Sequence, residues 1–133
     1  MKNSMPKSKK LTGIDEVGLC LGHHFSELGF SRGAGVIEGR YYFTEFLFHP
    51  TRRWRFDYAL PSLKIAVEVS GGVWMPVSGH RSGKGIMRDY AKSNEAQLLG
   101  WILLTFTPAQ ILKGEDLPML RRAIILRTGY PTL

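Results

Sequence analysis

The stretch RRWRFDYALPSLKIAVEVSGG, from Arg52 to Gly72, sets two carboxylates inside two strand-like runs parted by a proline turn. Trp54 to Ala59 and Lys64 to Val69 are rich in aromatic and β-branched residues, which suit a pleated, half-buried surface. Pro61 cannot donate to a sheet ladder, so the first run ends before it. Successive strand residues point to opposite faces. Strict alternation puts Arg53, Arg55, Asp57 and Ala59 on one face, and Trp54, Phe56 and Tyr58 on the other. In the next run it puts Ile65, Val67 and Val69 together, with Lys64, Ala66, Glu68 and Ser70 opposite. A carboxylate in a buried strand is costly unless it is paired or bound to a cation.

The remaining chain supplies layers around that unit. Ile14 to Leu28 is predicted as a helix, because Ile14, Val17, Leu21 and Leu28 recur at helical spacing and Phe25 widens the stripe. Thr12 can cap it and Gly29 stops it. His24 falls on the apolar stripe, either as a satisfied core histidine or as one facing a site. Ser31 to Arg40 reads as a glycine-bearing loop. Tyr41 to Phe48 is a strand that pairs with Trp54 to Ala59 across a turn at His49-Pro50-Thr51. Ser70 to Gly85 is a long loop with five glycines. Ile86 to Leu99 is a helix ended by Gly100, and Trp101 to Phe106 a buried strand. Pro108 to Leu112 is a short helix and Glu115 to Leu126 a closing one. The order αβββαβ plus a C-terminal helix predicts one α/β domain, a mixed central β-sheet flanked by helices. Residues 1–10, MKNSMPKSKK, read as a flexible basic tail, and 11–133 as the domain.

Composition narrows the class. At 133 residues and 44% hydrophobic, the chain can bury one core. It has no apolar run of about 18 residues, so no membrane span is expected. A single cysteine, Cys20, excludes an internal disulfide and a multi-cysteine zinc site. A cytoplasmic location follows by default. The net charge of +7 favours a polyanion partner, nucleic acid above all, or serves solubility alone.

Two carboxylates from neighbouring strands suit a hard divalent cation such as Mg2+, which takes oxygen ligands. Such an ion supports phosphodiester hydrolysis by activating water and offsetting charge on phosphorus. Salt bridges to Arg53, Arg55 or Lys64 are the plainer alternative. On the helix from Ile86, Arg88, Lys92 and Glu95 are spaced for ordinary ion pairs along its surface, with Asp89 three residues before Lys92. Arg52, Arg53 and Arg55 surround Trp54. These arginines could hold phosphate and an exposed Trp54 could stack on a base, or Trp54 packs in the core. In the glycine loop His80, Arg81 and Lys84 offer donors and charge to a phosphate. The segment GHRSGKG fails the P-loop pattern: Gly79 and Gly83 are too close, and Gly85 follows Lys84 where Ser or Thr is required.

The Arg52–Gly72 stretch, followed by GHRSGKGIMRDYAKSNEAQLLGWILLTFTPAQI, resembles the PD-(D/E)XK nuclease superfamily. It is most similar to the small subgroup related to very-short-patch-repair endonucleases and predicted phage-borne endonucleases. The resemblance implies a restriction-endonuclease-like core and a Mg2+-dependent endonuclease acting on DNA at a structure or lesion, with Mn2+ substituting. Asp57 then matches the motif Asp and Glu68 the motif Glu, with the Val69 carbonyl as a third metal ligand. Glu16 is the candidate acid from the first helix, or a first-turn Glu favoured by the helix dipole. Ser70 stands where the motif Lys belongs, and Lys92, then Lys84, are the candidates to replace it. His80 would contact the scissile phosphate or move a proton. Lys84, Arg81, Arg53, Arg55 and Asn94 would hold nucleic acid. Two other readings stay open: a nuclease-like module that binds without cutting, and an RNA-processing nuclease. Cutting both strands with one site per chain would call for a homodimer, for which no interface is legible.

Overall fold

A computed structural model describes residues 12–71 and 83–129 of the chain, so the basic-tail reading of residues 1–10 lies outside the described residues. Helix α1 (Thr12–Glu27) leads into a two-residue strand β1 (Ser31–Arg32). Strands β2 (Tyr41–Leu47), β3 (Arg55–Leu60) and β4 (Ile65–Val69) follow. Then come α2 (Gly83–Leu98), β5 (Ile102–Phe106), α3 (Pro108–Leu112) and α4 (Asp116–Thr128). Among the described residues the strands form one sheet in the order β1-β2-β3-β4-β5. The β2/β3 and β3/β4 pairs are antiparallel, while β1/β2 and β4/β5 are parallel. The architecture is α/β, a mixed five-stranded sheet flanked by helices.

Each face of the sheet carries its own core. On one, Leu60, Ile65, Val67 and Phe106 meet Val17, Leu21 and Phe25 of α1, Ile111 of α3, and Leu120 and Ile124 of α4. On the other, Phe56, Ala59, Ala66 and Trp101 meet Ala96 of α2. Ala59, Ala66 and Ala96 are short side chains, all buried, so α2 can lie close over β3 and β4. The stripe read on the first helix is the buried one: Val17, Leu21, Phe25 and Leu28 all face the core. Turn chemistry fixes α3 directly after β5. Thr107 and Gln110 form a reciprocal capping box, with Pro108 in the first turn, where its missing N–H costs nothing.

Three features depart from the sequence reading. Ser31 and Arg32 pair with Tyr41 and Tyr42 inside the segment read as a loop. Helix α2 begins at Gly83 rather than Ile86. Glycine's entropic penalty applies to a helix interior, and Gly83 and Gly85 sit in the first turn. The third departure shapes the site. Phe56 and Ala59 pack into the same cluster on the α2 side, whereas Tyr58 turns to α1, its ring 6.0 Å from Phe25. Strict alternation would group Phe56 with Tyr58, so the pleat breaks at Asp57. In the β2/β3 register Asp57 lies opposite Glu45, between the Thr44–Tyr58 and Phe46–Phe56 pairs. Glu45 holds a left-handed backbone, φ 51, which an L side chain rarely adopts. No helix among the described residues is long and apolar enough to cross a membrane.

Candidate active site

The two carboxylates meet where β3 and β4 stop pairing regularly. The ladder between these strands runs from Leu60–Ile65 to Tyr58–Val67. Beyond it the side chains take over the backbone donors. The Asp57 amide donates to Glu68 Oε2 at 3.0 Å, and the Val69 amide donates to Asp57 Oδ2 at 2.8 Å. Each acid thus satisfies an amide of the other's strand, which fixes both rotamers at the half-buried end of the sheet. The second Glu68 oxygen, Oε1, accepts from Lys92 Nζ of α2 at 3.0 Å. Lys92 also lies over the Phe56 ring, 5.9 Å from its centroid. Phe56 is in place to do this because the pleat breaks at Asp57.

Burial pushes the Glu68 carboxyl above its ordinary value, and the neighbouring Asp57 charge adds to the rise. The hydrogen bond and charge of Lys92 oppose it, as does the Asp57 amide. Lys92 therefore helps keep a half-buried acid ionised. It does not use the in-helix spacing seen in the sequence: its partner is Glu68, and Glu95 faces His49 Nε2 at 2.9 Å.

Two clefts flank the junction and share Val69 and Gly71. The one on the α2 side, about 400 Å³, is polar and holds Glu68, Asp89, Lys92, Ser93 and Thr105. The one on the α1 side, about 510 Å³, is mostly apolar and holds Asp57, Thr44, Glu45 and Tyr58 between Val17, Pro108 and Leu112.

The donor set fits magnesium, which takes one or two carboxylates and fills its shell with water and substrate phosphate. Among the described residues no group of three or more His, Cys, Asp or Glu could share an ion, so a cation here would rest on the two carboxylates, backbone oxygen, water and substrate. Glu16 is exposed on α1 and is not gathered to the pair. Ser70 donates its amide to the Phe106 carbonyl. Lys84 is exposed in the first turn of α2. Lys64 is committed elsewhere, its ammonium capping α2 at the Leu99 carbonyl at 2.7 Å. His80 and Arg81 lie outside the described residues.

The candidate nucleic-acid residues divide. Arg53 is exposed, and Arg55 reaches back to the Glu45 carbonyl at 3.3 Å. Asn94 is exposed at a separate surface hollow with His49, Arg52 and Trp54. Trp54 is half-buried, not a free platform: Phe48 stacks beneath it and the Arg52 guanidinium covers it at 4.2 Å.

His24 takes the core role. Its Nδ1 donates to the fully buried Asp116 at 2.8 Å, and Cys20 Sγ lies 3.5 Å from its Nε2. Burial and then the Asp116 charge push the Cys20 thiol up, and its Sγ donates to the Ile111 carbonyl at 3.4 Å. The Cys-His-Asp row ties α1 to α4. Sequence spacing could not find Asp116, which is 92 positions from His24.

Compared with protein-family models, curated proteins and solved structures, the chain has no match.

Proposed function

We propose that the chain is a Mg2+-dependent endonuclease on a restriction-endonuclease-like core, hydrolysing phosphodiester bonds in DNA. One observation supports this reading: Lys92 is bonded to Glu68, beside Asp57, at 3.0 Å, and would supply the cation that Ser70 cannot. Asp57 and Glu68, with the Val69 carbonyl, would hold the metal. When bound, it would activate a water and offset charge developing on the phosphate. Lys92 opposes the rise of the Glu68 carboxyl and would present an ammonium to the phosphate in the polar cleft. Ser93 and Thr105 of the same cleft can donate hydroxyl hydrogen bonds to phosphate oxygens. The net charge of +7 draws the polyanion in.

The test uses the full chain on linear, nicked, mismatched and branched DNA, and on RNA, with and without Mg2+. Cleavage should need the metal and vanish in Asp57→Ala and Glu68→Ala while the fold persists. Full activity in both variants contradicts the assignment. Binding of every substrate without cleavage would instead make the chain a non-cutting module.

A further inference from the structure

Resting on the nuclease reading, we infer that the apolar cleft beside Asp57 receives one unpaired nucleobase of the substrate strand. Its substrates are then DNAs with a flipped, frayed or single-stranded nucleotide at the scissile phosphate, not intact duplex. The cleft lies on the opposite side of the carboxylate pair from Lys92, and Val69 and Gly71 line both. Phosphate in the polar cleft therefore has its own base beside the apolar one. At about 510 Å³ the cleft exceeds what one base needs. Its walls are those a base prefers: the Tyr58 ring together with Val17, Pro108 and Leu112.

The polar groups at this cleft also select. Glu45 and Asp57 are carboxylates, able only to accept when ionised, and Thr44 can accept at its hydroxyl. A base that offers amino hydrogens, as cytosine does at N4, matches these acceptors. Thymine has no amino group, presents O4 at that position and can donate only from N3, so it matches them less well. Glu45 is held here in a left-handed backbone that a non-glycine residue rarely adopts. Such strain concentrates where a side chain must be aimed. Across the β-ladder Arg32 donates to Thr44 Oγ1 at 3.3 Å and sets a cation near the cleft for the next phosphate.

The experiment compares duplexes of one length carrying, at one position, a paired nucleotide, an unpaired dC, an unpaired dT or an abasic residue. Cleavage rates are read in Mg2+ and affinities by fluorescence anisotropy in Ca2+. Unpaired dC should be cut and bound about tenfold better than the abasic or paired substrate, in line with the worth of one stacked base. It should also exceed dT. Leu112→Trp, at a half-exposed position that fills the cleft, should collapse the dC-to-abasic ratio towards one in both readouts. Glu45→Gln should shrink the preference for dC over dT. Metal-dependent cleavage with equal rates on all four substrates overturns the base cleft and leaves the nuclease standing. Base-dependent affinity without any cleavage retains the cleft and removes the nuclease. Equal affinities without cleavage remove both.

Discussion

Replacing Lys92 by Met isolates the cation proposed to assist Asp57 and Glu68. Methionine keeps the length and apolar stem that lie over Phe56 and removes only the ammonium. At 3.0 Å from Glu68 Oε1, the gross attraction of two unit charges is about 5.5 kcal/mol at an effective dielectric constant near 20. Desolvation offsets most of it, since both side chains are mainly buried, at 21% and 23% exposure. The net loss of stability should be about 1 kcal/mol, or roughly 4 °C in Tm for a domain of this size. Activity should fall much further. Losing one preorganised charge that acts on the transition state costs on the order of 100- to 1000-fold. The assay is single-turnover cleavage of end-labelled DNA in Mg2+ across a pH series, with a thermal melt of the same preparation. Lys92→Arg should recover part of the rate. If Lys92→Met cuts within about threefold of wild type while Asp57→Ala is inactive, the relocated-cation reasoning is refuted. A rate that recovers fully at alkaline pH would make Lys92 a positioning residue, acting only through the ionisation of Glu68.

Other expectations follow from the same contacts. Burial and Asp57 raise Glu68, so its folded value lies above the unfolded one. Its contribution to stability is then complete below the ordinary carboxylate range and is lost as pH rises through the raised value. Asp57→Asn removes one cause of the rise and should lower the Glu68 titration followed by carboxyl NMR, whereas Lys92→Met should raise it. His24→Ala strips the buried Asp116 of its imidazole partner, and Asp116 Oδ1 already has no hydrogen-bond partner. An unsatisfied buried group costs about 1–3 kcal/mol, more when charged, so urea denaturation should show a loss of at least that size. Phe56→Ala should cost about 3–5 kcal/mol, because Phe56 is fully buried and stacked on Phe48 at 3.9 Å. An unfolding midpoint close to wild type would contradict the role given to that ring.

Much of the scaffold was legible along the chain. The stripe Val17, Leu21, Phe25 and Leu28 announced a buried helix face, and Ile65, Val67 and Val69 announced the inward face of β4. Asp57 and Glu68 stood out because each interrupts an apolar strand. Local patterns failed where the pleat did. Alternation assumes a regular strand, and nothing about a glutamate at position 45 announces the left-handed backbone opposite Asp57. Placing Phe56 on the Tyr58 face followed from that assumption. Partnerships across the fold were equally hidden. His49 with Glu95, and His24 with Asp116, join residues 46 and 92 positions apart, beyond any periodicity. Lys92 was singled out through the resemblance, as a stand-in for the lysine absent at Ser70, while its in-helix spacing suggested a surface pair; its partner is Glu68, and Glu95 pairs with His49. Helix α2 turns Lys92 inward instead, because the short Ala59, Ala66 and Ala96 let it lie low over the sheet.

The most direct test of the central claim is to locate Mn2+ by its anomalous scattering in crystals of the protein soaked with the ion. The account predicts a single strong peak between the Asp57 and Glu68 carboxylates, within about 2.0–2.4 Å of an oxygen of each, as expected for hard-cation ligands. It also predicts that the peak is absent from Asp57→Ala crystals. A strong peak bound elsewhere on the chain, or none at this pair at millimolar Mn2+, would contradict it.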